Sequence, residues 1–344
     1  MNIRELIRPD LLDLEPYSSA RDEYKGKEGV FLDANENPFD NGVNRYPDPL
    51  QKGLKARISE LKTVPEQNIF LGNGSDECID LLLRLFGVPM KDSIVAISPS
   101  YGMYQVSAKI NQIKVRNVLL NADFTLNSER ILDAAIGAKM IFICSPNNPT
   151  GNVFTKKEII NLAESFNGLI IVDEAYIDFS DTESLSSEIE QYPNLVILQT
   201  LSKAYGMAAL RLGMLFASSE IITWLNKIKP PYNISQLTQS EVLKLLKDDQ
   251  LVKDQILELK SQRKRLEVEL SKLNSVEKIF PSEANFILIK VIDSNKIYKE
   301  LINSKIITRN RSTQPLCNNC IRITVGTKQE NDLLLKGMNE LNQI

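Results

Sequence analysis

The sequence predicts an α/β protein: a three-layer large domain on a mostly parallel sheet, followed by a smaller α+β C-terminal domain. Three observations predict it. Short aliphatic runs recur between residues 69 and 218, most without polar alternation, as strands buried on both faces require. Helix-period segments alternate with them, which is the pattern of helices layered over a parallel sheet. Past Pro230-Pro231 the texture changes to a long charged stretch and then a strand, a helix, a strand and a final helix.

Taken in order, residues 1–40 contain Pro9, Pro16 and Pro38 among several turn formers and read as an N-terminal arm. Residues 41–235 read as the large domain and 236–344 as the small one. The candidate strands of the large domain are 69–71, 93–97, 140–144, 169–172, 195–198 and 214–217, with helical periodicity over 76–86 and 156–165. The charged stretch 237–273 predicts a connecting helix or helix pair with one solvated face. Residues 285–289 and 320–325 follow as strands, with a helix around 294–302 between them. In open α/β sheets ligands bind outside the carboxyl ends of the strands. Each chemically interesting segment of the large domain follows a candidate strand.

Composition narrows the chemistry. The chain has 344 residues, 43% hydrophobic and 25% charged, which are ordinary globular values. A formal net charge of -3 shows no electrostatic footprint for nucleic acid or anionic membrane. No apolar run approaches the roughly 20 residues that span a bilayer, and Met1-Asn2-Ile3-Arg4-Glu5 lacks the pattern of a signal peptide. Four cysteines in a chain this long are no disulfide framework, so a cytoplasmic protein is expected. There is no histidine, which removes Ser-His, Cys-His and His-metal mechanisms together, and no metal site is expected. Cys317 and Cys320 form a lone C-x-x-C, which packing or chance accounts for as readily as zinc or redox work.

Four segments supply the parts of a site. Thr200-Leu201-Ser202-Lys203 ends an apolar strand, with Arg211 eight positions on: an amine beside two hydroxyls and a cation, suited to an aldehyde cofactor next to an anion site. Gly72-Asn73-Gly74-Ser75-Asp76-Glu77 opens a helix. Its glycines admit an anion to the free amides and Ser75 can cap, although a plain N-cap fits as well. Ser145-Pro146-Asn147-Asn148-Pro149-Thr150-Gly151 presents amide side chains at the sheet edge. Asp173-Glu174-Ala175-Tyr176 puts a carboxylate after four aliphatic residues, where a cation such as a protonated pyridine nitrogen would suit it, although a helix cap or a strand-end salt bridge also fits. Tyr101, after the second strand, can stack on a planar ring or serve as core. Arg322, inside an apolar strand, needs an anion.

In order and spacing these segments, with Cys320-Ile321-Arg322-Ile323-Thr324-Val325-Gly326, resemble the fold-type I, pyridoxal-phosphate-dependent aminotransferases from about residue 30 onward. Pro16-Tyr17-Ser18-Ser19-Ala20-Arg21, Ala34-Asn35-Glu36-Asn37-Pro38, Arg45-Tyr46-Pro47-Asp48-Pro49, Pro99-Ser100-Tyr101-Gly102-Met103-Tyr104 and Arg309 resemble the histidinol-phosphate aminotransferase family within that group. The resemblance implies that Lys203 forms the Schiff base with pyridoxal 5'-phosphate and then shuttles the proton, and that Asp173 pairs with the pyridinium. Tyr176 and Asn148 would meet the ring oxygen and Tyr101 the ring face. Gly74, Ser75, Asp76, Thr200, Ser202 and Arg211 would surround the cofactor phosphate, with Tyr46 reaching it from a second subunit of a homodimer with shared sites. Tyr17, Asn35, Arg309 and Arg322 would receive the substrates. The implied reaction is amino transfer from L-histidinol phosphate to 2-oxoglutarate, giving imidazole acetol phosphate and L-glutamate, a step of histidine biosynthesis. Thr200 stands where the family often has serine, and Arg311 is left without a role. An aromatic or broad-range aminotransferase and a threonine-phosphate decarboxylase-like lyase use the same cofactor and remain alternatives. A non-catalytic binding protein of this fold and a dinucleotide-dependent oxidoreductase are disfavoured, the first by Lys203, Asp173, Asn148 and Arg211, the second by the missing glycine fingerprint.

Overall fold

The structure, a computed structural model, describes residues 2–15 and 29–341. Seven strands form the large sheet: β1 (Ile69–Asn73), β2 (Ser93–Ser98), β3 (Lys114–Leu119), β4 (Met140–Cys144), β5 (Leu169–Asp173), β6 (Leu195–Thr200) and β7 (Leu212–Phe216). Their spatial order is β1-β7-β6-β5-β4-β2-β3. Pairing is parallel from β3 through β2, β4 and β5 to β6, and antiparallel on both sides of β7. Alternate residues of each central strand serve opposite faces. Ile141, Ile143, Ile170 and Val172 join one core; Met140, Phe142, Leu169 and Ile171 join the other. Helices Lys52–Lys62, Ser128–Ala135 and Lys156–Ser165 contribute to the first, and Ser75–Phe86, Met103–Ile110 and Ser219–Ile228 to the second. A capping box between Thr155 and Glu158 starts Lys156–Ser165 and satisfies its first amides.

Three differences from the sequence reading have physical causes. β3 carries no strand signal in the sequence because it is an edge strand, with Lys114, Arg116 and Asn117 along it. The expected strand 214–217 begins two residues earlier and runs antiparallel to its neighbours, which apolar periodicity cannot reveal. The first residues are not a free arm: Ile3 and Ile7 are buried in the second core, and Arg8 N–H donates to Leu85 O at 3.0 Å.

The charged stretch forms two helices, Gln236–Leu245 and Asp249–Leu270. A four-stranded antiparallel sheet follows, in the order β10-β11-β9-β8, from β8 (Val276–Ile279), β9 (Phe286–Val291), β10 (Arg309–Asn310) and β11 (Cys320–Thr324). One face, with Ile287, Ile289, Ile321 and Ile323, packs under Asp249–Leu270, Ser294–Asn303 and Lys328–Leu341. The other turns to the large sheet: Leu288 and Cys320 join its first core, and Phe286 packs with Ala175, Tyr176 and Ala204. No described helix is long and apolar enough to cross a membrane.

Candidate active site

The direction of β7 assembles the site. Because β7 is antiparallel to β6, its start lies beside the end of β6, with Gly213 opposite Thr200. It is antiparallel to β1 as well, so Leu212 sits opposite Asn73. Arg211, Gly74, Thr200 and the ends of β4 and β5 therefore share one edge of the sheet, around a single cavity. Gly74, Ser75, Asp76, Tyr101, Asp173, Tyr176, Thr200, Ser202, Lys203 and Arg211 all line it.

One end of the cavity gathers features that suit an anion. Gly74 takes φ 79°, a conformation that favours glycine, and its N–H donates to Arg211 O at 2.8 Å. A Cβ on Gly213 would lie 2.2 Å from Ser75 N, so strand and helix start can approach this closely only with glycine there. Ser75 is the first helical residue rather than the cap. Gly74 occupies the cap position without a side-chain bond, leaving the first amides of Ser75–Phe86 open to a ligand. Arg211 stands over this turn, and among the described residues its one ion partner is Asp76, at a distant 4.0 Å. Thr200 Oγ accepts from Ser202 N–H at 3.1 Å and donates to Leu212 O, which fixes the turn that carries Lys203.

The floor is a buried carboxylate that forms no ion pair within 4 Å among the described residues. Asp173 accepts from Tyr104 Oη at 2.7 Å and Ala175 N–H at 3.1 Å, both neutral. Burial raises its pKa, and those two bonds oppose the rise. Tyr104, itself buried and stacked on Phe142, was not singled out in the sequence; a helix aromatic there reads as core. Tyr101 Oη donates to Asp76 at 3.1 Å and its ring meets Tyr104 edge-on. Lys203 Nζ lies 5.6 Å from the Tyr176 ring centre. Partial desolvation and then the charge of Arg322 hold this amine below the ordinary lysine range.

Above the floor, Arg322 Nη1 donates to Asn148 Oδ1 at 2.5 Å, and Asn148 Nδ2 donates to Tyr176 Oη at 3.3 Å. Burial pushes the Tyr176 phenol up. Arg309 lies opposite Arg322 across β10 and β11. Asn35 and Tyr46 are not in the cavity. They line a separate groove, where Tyr46 stacks on Tyr232 at 4.5 Å and donates its backbone N–H to Glu36 at 2.6 Å. Tyr17 lies outside the described residues. The four cysteines are free and buried, and no cluster of candidate metal ligands exists among the described residues.

Residues 30–337 match the family model of the aminotransferases of class I and II. A histidinol-phosphate aminotransferase of Flavobacterium johnsoniae is 52% identical over 99% of this chain and 99% of its own. Among solved structures, the histidinol-phosphate aminotransferase of Clostridium acetobutylicum superposes with a TM-score of 0.81 at 26% identity, over 88% of this chain and 91% of that one. The enzyme of the same name from Sinorhizobium meliloti, solved with pyridoxal-5'-phosphate, gives a TM-score of 0.81 at 23% identity, over 87% and 83%. The fold is that of the fold-type I aminotransferases, and the chain belongs to the class I and II aminotransferase family, among its histidinol-phosphate aminotransferases.

Proposed function

We propose that this protein transfers the amino group of L-histidinol phosphate to 2-oxoglutarate, giving imidazole acetol phosphate and L-glutamate in histidine biosynthesis, with pyridoxal 5'-phosphate as cofactor. The residues present fit that cofactor. The amide turn at Gly74-Ser75, with Thr200, Ser202 and Arg211, suits its phosphate, and Asp173 lacks the cation that a pyridinium would bring. When bound, the cofactor supplies an aldehyde that condenses with amines and a ring that accepts the electron pair of a broken Cα–H bond.

The chain's own residues do the rest. Lys203 would be the attachment residue, and its Nζ, held below the ordinary range, would take and return the proton at the substrate Cα. Asp173 holds a proton on the ring nitrogen. Tyr176 and Asn148 orient the ring oxygen, and Tyr101 covers the ring face. Arg322 and Arg309 bind the phosphate of one substrate and the carboxylates of the other, because a guanidinium fork fits both. A homodimer completes the site, with Tyr46 of a second copy reaching the cofactor phosphate and Tyr17 of that copy the substrate. Its cytoplasmic placement follows from the reaction.

One observation carries the choice of substrate: Arg322, bonded to Asn148, and Arg309 opposite it have no carboxylate partners among the described residues, in a chain 52% identical to a relative named for that phosphate ester. The test is an amino-donor panel with 2-oxoglutarate as acceptor: L-histidinol phosphate, histidinol, tyrosine, phenylalanine and threonine phosphate. Histidinol phosphate should lead histidinol by at least about tenfold in kcat/KM, the size of one charge-assisted contact. Equal turnover of the two would remove the phosphate from the reading; release of carbon dioxide from threonine phosphate would make the protein a lyase.

A further inference from the structure

A third guanidinium stands in the same corner. β10 continues beyond its pair of residues, since Arg311 N–H donates to Cys320 O at 2.8 Å. Residues two apart on a strand share a face. Ile321 belongs to the core under the small-domain helices, whereas Cys320 belongs to a core of the large sheet. Arg309, Arg311 and Arg322 therefore all project from the face turned to the large domain, the side on which Arg322 meets Asn148. Among the described residues no carboxylate pairs with any of the three.

The segment also leaves buried polar atoms unsatisfied. Nε of Arg311 and of Arg322 is buried without a partner, as are Thr308 Oγ1 and Gln314 Oε1. An orphaned charged donor is costly, and the part-buried Arg311 and Arg322 repel each other and the exposed Arg309 beside them, unless an anion fills the space between them. Burial and then Arg309 lower the basicity of Arg311, burial and then Arg311 lower that of Arg322, and the Tyr176 phenol opposes the fall in both. Two forks suffice for a carboxylate; a phosphate monoester brings a second charge and a third oxygen.

We propose that Arg311 is a third ligand of the substrate anion and sets the site's preference for a doubly charged phosphate monoester over a singly charged carboxylate side chain. This deepens the proposed function and rests on it. The test compares holoenzymes of wild type, Arg311→Gln and Arg311→Lys with L-histidinol phosphate and L-glutamate as amino donors, and titrates inorganic phosphate as a competitive inhibitor. Arg311→Gln should raise the KM for histidinol phosphate about tenfold and weaken inorganic phosphate by a similar factor. The KM for glutamate should move several-fold less, kcat should change little, and Arg311→Lys should recover part of the loss. Equal losses for both donors, a fall in kcat alone, or undiminished inhibition by phosphate would overturn the proposal. Cofactor absorbance reports folding; if the glutamine variant fails to fold, the lysine variant must show the same split at smaller size or the proposal falls. A wild type that treats histidinol and histidinol phosphate alike sinks the parent reading instead, and phosphate inhibition then decides on Arg311 by itself.

Discussion

Asp173 and Glu174 are adjacent buried carboxylates with different solutions to the same problem. Asp173 faces the cavity and leans on Tyr104, whose hydroxyl is one of its two donors. A hydrogen bond to a charged group contributes about 1.5–3 kcal/mol. Tyr104→Phe should therefore lower the melting temperature and loosen cofactor retention on dialysis roughly tenfold, because a less ionised Asp173 is a weaker partner for a ring cation. Unaltered retention would mean that Tyr104 satisfies only itself. Glu174 points away and accepts from Leu185 N–H at 2.8 Å, Ser184 Oγ at 2.5 Å and Gln199 Nε2 at 2.9 Å. Burial outweighs these bonds and pushes its pKa up to about 7 from an ordinary 4.5. The sign follows from proton counting. Between those values the folded chain keeps a proton that the unfolded chain has lost, so this residue's contribution to stability falls as pH rises toward 7. Urea unfolding of wild type and Glu174→Gln at pH 5 and pH 8 should show the wild-type advantage shrinking by about 2 kcal/mol, because each tenfold difference in proton affinity between the two states is worth about 1.4 kcal/mol. An advantage that grows with pH would reverse the assignment.

At the scale of elements, the approach of β7 to the turn between β1 and its helix decides whether an anion site exists. Gly213→Ala would place a methyl 2.2 Å from Ser75 N and 2.3 Å from the Gly74 carbonyl carbon, both backbone and unable to yield alone. The expected cost is about 1–3 kcal/mol of stability, with loss of cofactor retention as the amide turn is pushed off Arg211. Gly53→Ala, with nothing within 4 Å and a helical position, should be neutral or mildly stabilising, which separates local crowding from a general intolerance of alanine. Calorimetry and cofactor absorbance after dialysis read both. The same elements show what was legible in the sequence. Strands buried on both faces, such as Met140–Cys144 and Leu169–Asp173, announce themselves as unbroken aliphatic runs. Lys114–Leu119, Val276–Ile279 and Arg309–Asn310 do not, because exposed or edge strands mix charge into the pattern. Loop residues of the site were legible because each follows a strand. Tyr104 was not: its bond to Asp173 spans 69 positions, and nothing local marks it. The orphaned Nε of Arg311 was equally invisible, since a missing partner is a property of the fold.

For the whole molecule, the cofactor cavity and the groove holding Asn35 and Tyr46 are separate places on one chain, yet the family resemblance puts Tyr46 on the cofactor phosphate. The second copy proposed above would reconcile the two. The segment leading into Tyr46 leaves Val30, Leu32 and Phe39 at least 80% exposed, and Leu237 beside the groove is 67% exposed, a concentration of apolar surface that a single copy leaves in water. Within one subunit that segment is nevertheless held in shape. Glu36 accepts the Tyr46 backbone N–H and pairs with Arg45 at 2.7 Å, while Tyr232 backs the Tyr46 ring, which would preorganise the residue for the proposed second copy. If sites are shared, two defective subunits can repair each other. Lys203→Ala lacks the attachment amine and Tyr46→Phe lacks the phosphate contact, so neither homodimer carries a complete site. A mixed dimer carries one: Lys203 from the Tyr46→Phe subunit and Tyr46 from the Lys203→Ala subunit. Random exchange in an equal mixture makes half of the dimers mixed, which restores about a quarter of all sites. Activity of the exchanged mixture should thus exceed the sum of the parents, with subunit exchange verified by native mass spectrometry. Additive activity despite verified exchange would place Tyr46 outside the partner's site and leave the groove as surface.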